Sequence, residues 1–393
     1  MSGTITVDAV ISLDLPNARR YRAPAGQYYI DCPFCGGHGK LNVNLAKNVW
    51  RCAKCGESGN AVDLHMKLTG ITDRSSGYRD LMKKIEGMPD TEKVMIRQNA
   101  ERAAIAEKSK LKPVSLAQRN RFYQAMLGEL TLSRDHYISL RRRGLSDEII
   151  KKNGYKSYPA EADLEKVAMN AYKIAKPRFG RNYMVPGAYK TDHNTLSMVP
   201  LHSGILIPCR AMNGMITGFQ IRNDDVSTGA KYIWLSSGSK AKGCSFSGCE
   251  NVHFAGNWDK VPKILNITEG VLKADVASYL SGKPFIGVPG VSNISQLPAV
   301  LKYLKEHGAE KVNICYDMDY REKKEVRRAM EHLKKVIHDA GLAYDQITWP
   351  SRYKGVDDYL YAYRFGKEIR EGHVRVIRED GKLAFRPAKA KKG

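Results

Sequence analysis

Two groups of side chains in this 393-residue chain have the types and spacing for metal chemistry. The first is Cys32-Pro33-Phe34-Cys35, followed after sixteen residues by Cys52-Ala53-Lys54-Cys55. Two C-x-x-C knuckles at this separation fall in the zinc window, and four thiolates close a tetrahedron with no open position, so the metal they imply is one structural Zn²⁺. His38 lies between the knuckles but is the weaker ligand candidate, because Cys35 already completes its pair. The second group is acidic. Lys263-Ile264-Leu265-Asn266-Ile267-Thr268-Glu269-Gly270 is an apolar run that ends in a carboxylate, and Val312 to Tyr316 is another that ends in Asp317 and Asp319. Residues two apart in an extended chain point to the same side. If both runs are strands of one parallel sheet, three acids meet at the edge where open α/β sheets bind ligands. Clustered carboxylates there suit a hard divalent cation such as Mg²⁺.

These side chains need scaffolds, and the pattern supplies them. Between the knuckles Leu41, Val43 and Leu45 alternate with Asn42, Asn44 and Ala46, and Asn48 to Arg51 can return as a second strand, which together make a zinc ribbon. Asn60 is placed to cap a short helix from Ala61. Lys40, Lys47, Arg51 and Lys54 could hold a single strand by charge, with Trp50 either stacking on a base or packed in the core. From Lys263 onward apolar runs and helical runs alternate, the signature of a parallel sheet with flanking helices. The helix at 321–340 carries Val326, Met330, Leu333, Val336 and Ile337 on one face. The chain therefore reads as an α+β multidomain protein. Its segments are a ribbon (1–88), a charged helical linker (89–114), a basic mixed α/β middle part (115–262), an α/β parallel-sheet part (263–365) and a basic tail (366–393). Cys244 and Cys249, with no second close pair, read as plain thiols.

Lys plus Arg number 64 against 41 acids, a surplus of +23 that points to a polyanionic partner, nucleic acid first. No run of 18 apolar residues occurs, and the N-terminus lacks a basic-then-apolar signal, so neither a membrane span nor a secretory leader is expected. Paired cysteines of metal type fit a reducing cytoplasm. No G-x-x-x-x-G-K-[ST] segment is present to mark a fused motor.

His136 to Ile150, with Arg141-Arg142-Arg143-Gly144-Leu145-Ser146 at its centre, resembles the start of the polymerase core in DnaG-type primases, the bacterial and phage RNA primases. Gly204 to Arg210, the Asn213-Gly214 turn, Gly218-Phe219 to Arg222 and Lys231-Tyr232 resemble that family's central strands, although Ile233 to Ser237 departs from it. Asn213-Gly214 is independently a type I′ hairpin signal. Glu269-Gly270 with Asp317-x-Asp319 is similar to the TOPRIM pattern. Lys354-Gly355-Val356-Asp357-Asp358 resembles the primase Lys-Asp-Pro-Asp-Glu motif, departing at Gly355 and Val356. The resemblance implies a TOPRIM catalytic domain at 263–365 that joins ribonucleoside triphosphates on single-stranded DNA. Asp317, Asp319 and Asp357 or Asp358 would hold Mg²⁺ or Mn²⁺, and Glu269 would be a catalytic acid, base or further ligand. Arg222, Lys231 and more weakly Arg210 would face template or nucleotide phosphates, beside Trp50 and Arg51 of the ribbon. It also implies a separate replicative helicase as partner. The four-cysteine ribbon and the lack of a helicase-binding domain fit a phage or mobile-element relative working in a bacterial host. A TOPRIM nuclease or topoisomerase-like enzyme, and a noncatalytic single-strand-binding replication factor, are the alternatives.

Overall fold

The computed structural model of the chain describes residues 5–22, 26–108, 111–158, 163–177, 182–227, 230–240, 242–246, 249–290, 294–318, 324–365, 374–378 and 383–386. The chain divides into two compact units, Met1–Lys110 and Leu111–Gly393.

In the first unit, helix α1 (Val7–Asp14) precedes five antiparallel strands in sequential order: β1 (Tyr21–Arg22), β2 (Gln27–Ile30), β3 (Leu41–Asn44), β4 (Val49–Cys52) and β5 (Ser58–Asn60). Helices α2 (Ala61–Thr69), α3 (Arg74–Glu86) and α4 (Asp90–Lys108) follow. Leu41 and Val43 are buried, as the alternation between the knuckles requires. Asn60 caps α2 in a reciprocal box with Asp63, satisfying two orphan amides at once. The segment read as a charged linker is different from expectation. Its helix α4 buries Ile96 with Ala9 and Met88, with Leu13 and Ile85 packed against them, an apolar contact in a charged sequence that seats it on this unit.

The second unit opens with β6 (Lys112–Pro113), α5 (Leu116–Glu129), α6 (Arg134–Arg141), α7 (Asp147–Asn153), β7 (Lys156–Tyr158) and α8 (Leu164–Ala175). Between α6 and α7 the chain turns at Gly144, and the Ser146 hydroxyl accepts from the Ile149 amide to cap α7. Next come β8 (Tyr183–Met184), β9 (Ala188–Lys190), β10 (Leu196–Met198), β11 (Gly204–Arg210), β12 (Ile216–Asn223) and β13 (Tyr232–Trp234). Strands β13-β12-β11-β7 form an antiparallel sheet in that order. The β11–β12 hairpin is present, but its turn is not type I′, which needs positive φ at two residues. Only Gly214 has it (φ 78°), donating its amide to Ala211 O (2.9 Å). The loop is a longer one with a left-handed glycine, in keeping with the register shift between Cys209 and Arg210.

The remaining elements are β14 (His253–Ala255), β15 (Ile264–Glu269), α9 (Val271–Ser281), β16 (Phe285–Val288), α10 (Leu297–Glu306), β17 (Lys311–Ile314), α11 (Lys324–Asp339), β18 (Ala343–Thr348), α12 (Val356–Phe365), β19 (Val374–Arg378) and β20 (Leu383–Arg386). Among the described residues they build a sheet of order β14-β16-β15-β17-β18-β19-β20. The run β16-β15-β17-β18 is parallel, and β14, β19 and β20 are antiparallel to their neighbours. Leu265, Ile267, Ile286, Val312 and Ile314 are fully buried, because helices cover a parallel sheet and its strands become continuous apolar runs. Met330, Leu333, Val336 and Ile337 of α11 are buried in the same core. Two boundaries differ from expectation. The sheet starts at β14, before residue 263, and the segment read as a basic tail contributes β19 and β20, whose alternation is concealed by basic composition. Among the described residues no helix is long and apolar enough to cross a membrane.

Candidate active site and metal centre

Strand β15 delivers Glu269 to the C-terminal edge of the parallel sheet, where it is half-buried. Strand β17 runs on through Cys315 and Tyr316 to Asp317, which is 7% exposed at the same edge. The Met318 amide donates to Lys354 O (3.0 Å), tying the loop after β17 to the loop before α12. That loop brings Asp357 (6% exposed) into the site from the first turn of α12. From the first turn of α9, Lys273 reaches between them and its ammonium ion-pairs with the Asp317 carboxylate. Burial disfavours the Lys273 charge, but the carboxylates of Asp317, Asp357 and Glu269 outweigh it and hold the ammonium above the usual lysine range.

Asp357 has the opposite balance. Burial holds its carboxyl above the ordinary carboxylate range, only partly countered by Lys273 and Arg143. Arg143, from the turn after α6, approaches Oδ2 at 3.4 Å, while Oδ1 is buried without a hydrogen-bond partner among the described atoms. Asp358 does something else: it is exposed, and its Oδ2 accepts from the Gly355 amide (3.1 Å), capping α12. Of the two acids left open by the motif, Asp357 is the one buried beside Lys273 and Arg143, and Asp358 is turned to the helix cap. Asp319 lies outside the described residues.

The space beside Gly355 is taken by the Asp357 carboxylate and the Lys273 side chain. A Cβ at this position would lie 2.3 Å from Asp357 Oδ1 and 3.2 Å from Lys273 Cε. Gly355→Ala should leave the fold standing but displace that carboxylate. If this edge carries the chemistry proposed below, an error of about 1 Å in the carboxylate costs roughly 10²-fold in rate, and a rate assay beside a thermal unfolding curve would separate the two effects.

A cationic group faces the carboxylates. Burial, then the fields of Arg222, Arg143, Lys354 and Lys273, push the Lys231 ammonium below the usual lysine range, which places these five side chains within electrostatic reach of one another. Arg222 on β12 is half-buried, with Nε shielded and unpartnered among the described atoms. Arg210, expected in this group, is elsewhere. Its guanidinium donates to Gly214 O (3.0 Å) and Asn153 O (3.1 Å), and its amide donates to His253 Nδ1 (3.0 Å). His253 in turn pairs through Nε2 with Asp275 (2.9 Å), which also accepts from the Tyr155 hydroxyl (2.7 Å). Arg210 is thus consumed in holding the β11–β12 turn against α7.

Lys273 is the site residue that motif reading passed over, while Arg143, one of the three consecutive arginines of the Arg-Gly-Leu-Ser stretch, approaches an acid of the site. Lys273 stands four residues after Glu269, one turn into the following helix, so the strand-to-helix reading already aimed it at this edge.

In the first unit the four cysteines are together. Their sulfurs all lie within 4.8 Å of one another, with Cys32–Cys55 and Cys35–Cys52 each at 3.8 Å. Tetrahedral Zn–S bonds of about 2.3 Å put sulfurs about 3.8 Å apart, so the donor set fits one zinc. It is the only such group of three or more metal-type ligands among the described residues. His38 turns away to Asp31 and Tyr21. Cys244 and Cys249 are buried thiols, the latter against Arg119.

Trp50 is not a stacking platform. It is 1% exposed, its indole N–H donates to Asn60 O (3.0 Å), and Phe34 packs 5.4 Å away. Its neighbour Arg51 is exposed on β4. Trp50→Ala is expected to cost about 3–5 kcal/mol of stability in denaturant unfolding of the zinc-loaded protein. Arg51→Ala should stay within about 0.5 kcal/mol of wild type while weakening salt-dependent binding of single-stranded DNA.

A family described as a domain of unknown function (DUF3854) matches residues 257–366. No curated protein matches the chain. Among solved structures, the zinc-binding and RNA polymerase domains of the Aquifex aeolicus primase are similar at 17% identity, covering 94% of this chain and 84% of that one, with a TM-score of 0.48. The RNA polymerase domain of Mycobacterium tuberculosis primase DnaG, solved with a double-stranded DNA oligomer bearing a 6-nucleotide overhang, is similar at 14% identity over 64% of this chain and 76% of that one, with a TM-score of 0.45. The primase fragment of the bacteriophage T7 primase-helicase protein is similar at 12% identity over 86% of this chain and 95% of that one, with a TM-score of 0.33.

Proposed function

We propose that this chain is a DNA-dependent RNA primase of the DnaG type, making short RNA primers on single-stranded DNA with a TOPRIM catalytic domain. The observation that carries the reading is the meeting of Glu269, Asp317 and Asp357 at one edge of a parallel sheet, within the field of a cationic group of Lys231, Arg222, Arg143 and Lys354. Acids with cations beside them suit a metal-assisted reaction on a triphosphate, since a metal ion and the phosphates each find charge of opposite sign there. The donor chemistry fits a hard cation: Asp357 Oδ1 is buried and unpartnered, and Asp317 is within reach of the same space. Asp317 and Asp357, with Asp319, would hold Mg²⁺ or Mn²⁺, which would neutralise the triphosphate and hold the 3′-hydroxyl in line with the leaving pyrophosphate. Lys231 and Arg222 grip triphosphate and template phosphates, and Arg143 keeps the Asp357 carboxylate oriented. Glu269 either adds a ligand oxygen or accepts the proton of the attacking hydroxyl. The zinc ribbon engages the template through Arg51 and its neighbouring lysines. The same reading gives the chain a separate replicative helicase as partner, a bacterial cytoplasm as its location and a phage or mobile element as its origin.

The test is incubation of the zinc-loaded protein with single-stranded DNA, all four ribonucleoside triphosphates and Mg²⁺ or Mn²⁺. Primer-length RNA that vanishes in an Asp317→Ala, Asp319→Ala double variant supports the proposal. Strand scission without synthesis would favour a TOPRIM nuclease, and binding with neither product a noncatalytic replication factor.

A further inference from the structure

Lys273 holds a place that a polymerase-type site does not obviously need to fill. Its side chain is 19% exposed, it ion-pairs with Asp317, and it lies within electrostatic reach of Asp357 and Glu269. The surroundings are shaped to admit it. The bare Cα of Gly355 leaves open the space where a Cβ would come within 3.3 Å of the Lys273 ammonium. Asp357 Oδ1, buried and unpartnered, points into the same space. A lysine that merely snorkelled along the helix would carry its charge outward to water, whereas this one carries it inward to the acids.

Charge balance then limits what else the acids can hold. Two divalent ions repel strongly at close range and need a dense patch of carboxylate to keep them together. The described carboxylates Glu269, Asp317 and Asp357 already face Lys273 and Arg143, which removes most of the negative charge a second ion would require. We propose that the Lys273 ammonium is a resident cation of the carboxylate cluster, standing in for one divalent ion, so that the site binds a single Mg²⁺ or Mn²⁺. This rests on the polymerase reading of the site and adds a fixed positive charge to it. Lys273 would keep Asp317 oriented through their ion pair, and would present a permanent cation to the phosphates beside the exchangeable one.

The experiment is a Mn²⁺ titration of the full-length, zinc-loaded protein, followed by the electron paramagnetic resonance signal of free Mn²⁺, with Asp357→Asn as the control that removes the site. Wild type is expected to hold one Mn²⁺ that Asp357→Asn loses. Lys273→Gln should bind Mn²⁺ at least about tenfold more tightly or take up a second ion, because a like charge has left the cluster. Lys273→Arg, which keeps the charge, should behave as wild type. Two ions in wild type, none in wild type, or unchanged count and affinity in folded Lys273→Gln would each overturn the proposal. If Lys273→Gln does not fold, the wild-type count and Lys273→Arg decide the matter alone. A protein that binds one Mn²⁺ in this pattern yet makes no RNA would refute the proposed activity and leave the role of Lys273 standing.

Discussion

Asp357→Asn is expected to lower RNA synthesis on single-stranded DNA by about 10²–10³-fold, the usual loss when one preorganised charge-stabilising group is removed. Asp358→Asn should cost no more than a helix cap, about 1 kcal/mol of stability, with activity close to wild type. The two acids are adjacent, so the pair separates a role in chemistry from a role in building α12. Asp357 is 6% exposed beside Lys273 and Arg143, whereas Asp358 is exposed and accepts the Gly355 amide at 3.1 Å. Stability should move the other way from activity. Burial holds the Asp357 carboxyl above its ordinary range in the folded protein. Its contribution to stability is therefore fully present below the unfolded carboxylate value and is lost as pH rises through the raised folded value. Asparagine cannot ionise. In buffer free of Mg²⁺ and Mn²⁺ but with zinc retained, Asp357→Asn should unfold at a higher temperature than wild type at neutral pH and lose that advantage in acid. Gel-resolved primer synthesis and thermal unfolding at two pH values check both halves, and a larger activity loss in Asp358→Asn would reverse the assignment.

What could be read in advance follows from how local each signal is. An apolar run ending in an acid is a statement about a few adjacent residues, and Glu269 and Asp317 do sit at the ends of neighbouring parallel strands. Asp357 and Asp358 could not be separated that way, since both fall in the first turn of α12 and only the cap geometry tells them apart. Trp50 could have been read more sharply. It stands two residues before Cys52, and in a strand that spacing puts both on one face, so a buried metal ligand carries the indole inward with it. Arg210 was misleading because a strand-end arginine near a turn looks the same in sequence whether it faces phosphates or backbone carbonyls. The residues of β19 and β20 were concealed by composition, as basic strands at the end of a sheet read like a solvated tail. The seating of α4 depends on Ile96 meeting Ala9 and Met88, and Ala9 is a contact distant in sequence that no periodicity reveals.

Stripping zinc should unfold the unit Met1–Lys110 and leave the cooperative transition of Leu111–Gly393 in place. The four sulfurs are part of that unit's interior. Cys32 and Cys52 are buried in one apolar cluster with Ile30, Leu41, Trp50 and Leu64. Without metal, burial favours the neutral thiols, raising Cys32 and pushing Cys55 up to about 11. The Cys32 and Cys55 thiolates are then unfavourable unless a cation compensates them, although hydrogen bonds hold Cys35 below its usual range against its desolvation, so the metal, the ionised sulfurs and the packing stand or fall together. A structural zinc supplies an apparent 10–16 kcal/mol, roughly the whole stability of a domain this size, which is 5–15 kcal/mol. The buried His65 ring, held by Asp14 and by Asp80 at 2.9 Å, joins helices to one another, and the Tyr28 hydroxyl of β2 donates to Asp8 of α1 (2.6 Å), but neither contact replaces the four sulfurs that close the two knuckles. A chelator, or Cys52→Ser, should therefore abolish the near-ultraviolet dichroism of Trp50 and the lower-temperature calorimetric transition, together with salt-sensitive template binding by Arg51. Purified wild type should carry one zinc per chain. A ribbon that survives chelation with its dichroism intact would mean that its apolar cluster alone suffices, and the cysteine cluster would then need a role other than holding the fold.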